Sequence, residues 1–138
     1  MFMKNEDFEE LKKKVEEDLE ITEDNVQQKS LKLANLYSHY LKTYIQELKI
    51  LKFRLTEKNK IYQQKYHHYK FEYQYELGAA KEIETYVNGD DEIHKINLSI
   101  QQQEIIVKFL ELTLENINNT GYRIKNYIDI TKLKLGLS

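Results

Sequence analysis

The stretch Ile93–Leu135, IHKINLSIQQQEIIVKFLELTLENINNTGYRIKNYIDITKLKL, decides the fold. Ile93, Ile96, Ile100, Gln103, Val107, Leu110, Leu114, Ile117, Gly121, Ile124, Ile128, Thr131 and Leu135 follow unbroken steps of three and four, and ten of these thirteen positions are aliphatic. Such spacing gathers side chains on one side of an α-helix and makes a coiled-coil-like seam. A seam this long in so short a chain is more than one intramolecular partner helix would need. It predicts a helical bundle that continues across subunits, with Ile93, Ile96, Ile100, Gln103, Val107, Leu110, Leu114, Ile117, Gly121, Ile124 and Ile128 as oligomerisation residues. Gln103 is open to two readings, a polar layer that fixes register and oligomeric state or a side chain near the seam edge. Gly121 either breaks the stretch into two helices or marks a close-packing point in one.

Working back from the seam, Asn88-Gly89-Asp90-Asp91 is a turn signal, and the carboxylates after it suit the positive end of a helix starting near 90. Between 70 and 88 the period shifts to two: Phe71, Tyr73 and Tyr75 alternate with Lys70, Glu72, Gln74 and Glu76. That segment reads as a short irregular or hairpin-like connector, with a helix to about 77 as the competing reading. Before it, Ala34, Tyr37, Leu41, Tyr44, Leu48, Leu51, Leu55 and Tyr62 form a second 3,4 stripe, which sends Tyr37, Tyr44 and Tyr62 to a core. At the N-terminus Phe8, Leu11, Val15 and Leu19 mark a short acidic amphipathic helix ending near Glu20. The expectation is a mainly all-α chain of long amphipathic helices forming an oligomeric bundle or ring. It is expected as a single domain, 1–138, divided into an acidic helix (1–22), a long basic helix (24–70), a connector (71–89) and C-terminal oligomerisation helices (90–136).

Composition agrees: 138 residues carry no Pro and only 4 Gly, which disfavours a turn-rich β-sandwich or barrel. Zero Cys excludes a disulfide framework, thiolate metal sites and a Cys nucleophile, and fits a reducing compartment. The acidic opening lacks the basic patch and apolar core of a signal peptide, and no apolar run approaches the roughly 20 residues of a membrane span. The chain is therefore expected in the cytoplasm, away from membranes. Its glycines at 78, 89, 121 and 136 are isolated, so no phosphate-binding loop is present. His39, His67, His68 and His94 match no zinc spacing, and no nucleophile, base and orienting group come together. No catalytic residue, metal or cofactor is expected.

The net charge of −2 conceals strong blocks: −6 over 1–28, +8 over 29–70, −6 over 71–104 and +2 over 105–138. The basic block also holds Tyr37, Tyr40, Tyr44, Phe53, Tyr62, Tyr66 and Tyr69. Cations neutralise phosphates and ring faces stack on unpaired bases, so this mixture suits single-stranded nucleic acid. Lys49, Lys52, Arg54, Lys58, Lys60, Lys65 and Lys70 are the candidate cations, and Tyr66 and Tyr69, near the helix end, the candidate stacking rings. A rival reading is a coiled-coil adaptor whose basic helix meets acidic segments of neighbouring copies and binds no nucleic acid.

Asn88-Gly89-Asp90-Asp91-Glu92-Ile93, Lys108-Phe109-Leu110-Glu111, Ile117-Asn118-Asn119 and Gly121-Tyr122-Arg123-Ile124-Lys125-Asn126 resemble the C-terminal half of the UvsY recombination mediator family of T-even-like bacteriophages. The N-terminal half is similar in outline, with an acidic opening, Leu36-Tyr37-Ser38, and a basic helix ending in Lys65-Tyr66-His67-His68-Tyr69. In that family this helix end carries a basic residue, paired tyrosines and a glycine-containing basic loop associated with single-stranded DNA. Lys65 matches the basic position and Tyr69 the second tyrosine, whereas His68, Phe71 and Glu72 stand where the first tyrosine, the glycine and the next cation would be. The resemblance implies a ring of about six or seven subunits that binds single-stranded DNA. It further implies displacement of the phage single-stranded-DNA-binding protein and loading of the phage strand-exchange recombinase, in the cytoplasm of the infected host cell.

Overall fold

The computed structural model describes residues 3–136. Residues 1, 2, 137 and 138, to which the expected domain and its first helix extend, lie outside the described residues. The described chain forms α1 (Asn5–Leu19), α2 (Val26–His67), a π-helical turn (His68–Glu72), α3 (Ala80–Asn88) and α4 (Asp91–Lys134). Among the described residues there is no strand. Nor, among the described residues, is any helix long and apolar enough to cross a membrane. The fold is all-α, as the 3,4 patterning predicts.

The connector differs from its hairpin-like reading. The long helix passes into the π-turn at 68–72, residues 73–79 are irregular, and 80–88 is helical. Ile83 and Val87, four residues apart, are both buried, so this segment is amphipathic at the helical period. The period-two run of aromatic residues before it does not make a strand. Tyr69 and Tyr73, also four apart, bring their ring centroids within 5.0 Å across the π-turn.

Two compact units are present, one of residues up to Gln46 and from Lys108, the other Glu47–Val107. In the first, α1 ends where Lys29 Nζ donates to the carbonyls of Glu17 and Asp18 at 2.8 and 3.0 Å, satisfying acceptors that a helix C-terminus leaves open. Tyr40 is fully buried and donates its hydroxyl to Asp18 Oδ2 at 2.6 Å; burial and then that carboxylate push its pKa up. The turn into α2 closes reciprocally: Thr22 N donates to Asn25 Oδ1 at 2.8 Å, and Asn25 N to Thr22 Oγ1 at 3.3 Å. Phe8 meets the Phe109 ring edge-on at 5.5 Å, and Val15, Leu110, Leu114, Ile117 and Ile124 are buried. α4 runs unbroken through Gly121, where an added Cβ would lie 3.3 Å from Leu33 Cδ2. That contact settles the glycine as a close-packing point.

The second unit is built on Ile83, Val87 and Ile93, with Ile61, Tyr62, Tyr66, Tyr69 and Leu77 packed against them. α2 and α4 run antiparallel here, since Glu47 meets Gln103 whereas Arg54 meets Ser99. Gln103 is 1% exposed and donates Nε2 to the Glu47 carbonyl at 2.8 Å. It is thus a polar layer joining two helices of one chain.

Two expected stripes need revision. On α2 the buried positions are Tyr40, Glu47 and Arg54, seven apart, whereas Ala34 is exposed and Leu55 is 42% exposed. The contact face is rotated from the purely apolar stripe because two charged residues are buried on it. On α4, every seam residue from Ile93 to Leu114, with Ile117 and Ile124, is buried within the single chain, and Gly121 packs on Leu33; Ile128 is 42% exposed. The chain's own helices therefore cover most of the seam. Apart from Ile128, the apolar side chains exposed on α4 lie off it, including Leu98, Ile105 and Leu112.

Candidate nucleic-acid interface

All nine candidate DNA-binding residues fall in the Glu47–Val107 unit, on α2 and the π-turn. The structure divides them by face. Lys49, Lys52 and Lys60 are exposed, and steps of three and four residues through Thr56 align them on the side of α2 away from Glu47 and Arg54. Lys70 is exposed on the π-turn, with Nζ 5.2 Å from the Phe71 ring centroid. Lys58 is half-buried on the inward side.

Arg54 does not join the exposed cations. It is 7% exposed, and its Nη1 donates to the Ser99 carbonyl on α4 at 2.7 Å. Burial lowers its pKa, only partly opposed by Glu47 and then Glu57, and an arginine guanidinium is not deprotonated in a protein. Its task is to tie α2 to α4, and the expectation that it faces DNA is corrected accordingly.

Lys65 and Tyr69 are drawn inward by the start of α4. Lys65 Nζ lies 3.2 Å from Glu92 and 3.6 Å from Asp90, and the bond to Glu92 outweighs burial in raising its pKa. Tyr69 donates its hydroxyl to Asp90 Oδ2 at 2.8 Å, and this bond followed by burial pushes its pKa up to about 12. Asp90 also accepts the Glu92 amide on Oδ1 at 2.9 Å, as the N-terminal cap of α4. Burial alone would raise the Asp90 pKa, but Tyr69, the Glu92 amide and Lys65 together hold it below the usual carboxylate value.

Tyr66 packs half-buried against the Ile83, Val87 and Ile93 core. Tyr69 belongs to a ring cluster with Tyr73 and Tyr86, at centroid separations of 5.0 and 5.8 Å. Both rings are thus partly covered by side chains of their own unit. Phe53 is 60% exposed between Lys49 and Lys60, whereas Phe71, 67% exposed, carries Lys70 Nζ 5.2 Å from its centroid and the His67 ring at 4.9 Å; sequence reasoning named neither as a site. The signal was there in Phe53, an apolar residue outside the 3,4 stripe and inside the basic block. His67 and His68 approach the Glu72 carboxylate at 3.9 and 3.4 Å, and no cluster of three or more potential ligands among the described residues could hold a metal ion.

A family model described as "Recombination, repair and ssDNA binding protein UvsY" matches residues 14–137, which include α2, α3, α4 and the exposed cations. Two crystal structures of the bacteriophage T4 recombination mediator protein UvsY share the fold. One, in lattice type IV, has a TM-score of 0.81 at 23% identity, covering 92% of this chain and 98% of that one. The other, in lattice type II, has a TM-score of 0.80 at 20% identity, covering 97% and 99%. No curated protein matches the sequence. With the family model spanning nearly the whole chain and the helices arranged as in these structures, the chain belongs to the UvsY family.

Proposed function

We propose that this protein binds single-stranded DNA through the outward face of α2 and acts as a phage recombination mediator. In this role it promotes loading of the strand-exchange recombinase against the single-stranded-DNA-binding protein, in the cytoplasm of the infected cell. The observation that carries the reading is the alignment of Lys49, Lys52 and Lys60 on one exposed face, in a chain whose family is described as single-stranded-DNA binding. Three aligned ammonium groups neutralise phosphates without reading sequence, as a mediator requires. A homo-oligomeric ring of about six or seven subunits repeats this modest face. A strand bound at one copy meets a high effective concentration at the next, so avidity exceeds single-site affinity by about 10²–10⁴.

The test is a fluorescence-anisotropy titration of the full chain with single-stranded and duplex oligonucleotides at two salt concentrations. Salt-sensitive preference for single strands is expected. Replacing Lys49, Lys52 and Lys60 together by Ala should reduce the salt slope by roughly 0.7 for each phosphate that is no longer neutralised. Absence of binding at low salt would refute the reading and favour a helical adaptor; an unchanged slope in the triple variant would remove this face from the interface.

A further inference from the structure

Phe53 is unexplained by the fold. Its ring is 60% exposed on a helix whose opposite side is buried, it lies outside the unit's apolar core, and no ring stacks on it among the described residues. A single exposed apolar residue is ordinary. This one is bracketed by cations, with Lys49 about 6 Å before it and Lys60 about 10 Å beyond it along the helix axis, at 1.5 Å per residue. It also lines an open groove of about 300 Å³ with Thr56, Glu57, Lys60, Ile61 and Gln64.

We propose that this groove is a base-stacking subsite, in which the Phe53 ring takes the face of one unpaired nucleobase of a single strand whose phosphates lie on Lys49, Lys52 and Lys60. The proposal rests on the single-stranded-DNA reading above and deepens it by assigning a residue to the base. The groove's chemistry favours the base over the phosphate at its centre. Glu57 repels an anion there, and its carboxylate can accept a hydrogen bond from an exocyclic amino group. The Gln64 carboxamide offers both a donor and an acceptor to a base edge, whereas the Thr56 hydroxyl already donates to the Lys52 carbonyl at 3.1 Å and keeps only acceptor capacity. Apolar contact with Phe53 and Ile61 takes any base, so the subsite is tolerant of sequence.

The sequence contains no Trp, so Phe53→Trp installs a sole reporter at the subsite. The full-length variant is titrated with oligo-dT and with an abasic oligonucleotide of equal length, and Phe53→Ala is titrated beside the parent across salt concentrations. Tryptophan emission should be quenched by oligo-dT and not by the abasic strand. Phe53→Ala should bind oligo-dT about 5- to 140-fold more weakly, from ~1–3 kcal/mol per stacked base at 1.4 kcal/mol per tenfold, with its salt slope unchanged. Lys60→Ala should instead lower the slope. Equal quenching by both strands, or parent-like affinity in Phe53→Ala, would overturn the subsite while leaving the DNA-binding function standing. A drop in oligomer mass in Phe53→Ala would also overturn it, by making the ring a contact between copies. Failure of the parent itself to bind oligo-dT would refute the proposed function, and the subsite with it.

Discussion

Replacing Asp90 by Ala should loosen the end of the long basic helix from the start of α4 by a calculable amount. Asp90 caps α4 through the Glu92 amide at 2.9 Å, a contribution of about 1 kcal/mol. It also accepts the Tyr69 hydroxyl at 2.8 Å, and a hydrogen bond to a charged partner contributes about 1.5–3 kcal/mol. The Lys65 ammonium at 3.6 Å is partly exposed and adds at most about 1 kcal/mol. Because the groups share one carboxylate their losses overlap, and about 2–4 kcal/mol is expected for Asp90→Ala. With a urea slope of about 1–3 kcal/mol per molar, the midpoint of helical circular dichroism should fall by roughly 1–2 M. Tyr69→Phe should lose about half as much, and the double variant less than the sum of the two. The pH dependence has a definite sign. The folded pKa of Asp90 lies below its ordinary value of 3.8, so its stabilisation is complete above that value and is lost as pH falls through the folded pKa. The gap between parent and Asp90→Asn should therefore be constant around pH 7 and close below about pH 4. An Asp90→Ala midpoint equivalent to less than about 0.5 kcal/mol of loss, or additive losses with Tyr69→Phe, would refute the network.

Two further substitutions probe α4. Gly121→Ala gains up to about 1 kcal/mol of helix propensity against a contact at 3.3 Å with a methyl of Leu33, so its thermal midpoint should match or exceed the parent's, whereas Gly121→Leu should lose about 1–3 kcal/mol by overpacking. Leu110→Asp places a charge at a fully buried position and should cost helical signal in circular dichroism at any protein concentration; a fully helical variant with only a lower oligomer mass in light scattering would return Leu110 to a subunit interface.

How much of this could be read from the sequence depends on which atoms satisfy each buried position. The α4 seam was legible because aliphatic side chains in helical register gain by burial on one face, and the 3,4 rhythm of Ile93 to Ile124 falls on buried positions. What it did not reveal was who covers the seam, since periodicity does not distinguish α2 of the same chain from a helix of another. The α2 face was misread for a different reason. Glu47 and Arg54 are charged, so hydropathy assigns them to solvent, yet the Glu47 backbone accepts from Gln103 and the Arg54 guanidinium donates to the Ser99 carbonyl. The seven-residue spacing of Tyr40, Glu47, Arg54 and Ile61 carried the correct face all along, in residue types that an apolar count passes over.

The same distinction governs the basic block. Its +8 charge could serve a strand of DNA or the acidic segment after it, and under the proposed function it serves both. Lys65 and Arg54 lie on the side of α2 that faces α4, where Glu92, Asp90 and the Ser99 carbonyl engage them. Lys49, Lys52 and Lys60 lie on the other side and are exposed. A cation already held by a carboxylate must give up that pair before it can serve a phosphate, whereas an exposed one gives up only water and loosely bound ions. The outward lysines are therefore the ones whose removal should lower the salt slope. Lys65→Ala should show mainly in the unfolding midpoint, through the helix end it fastens.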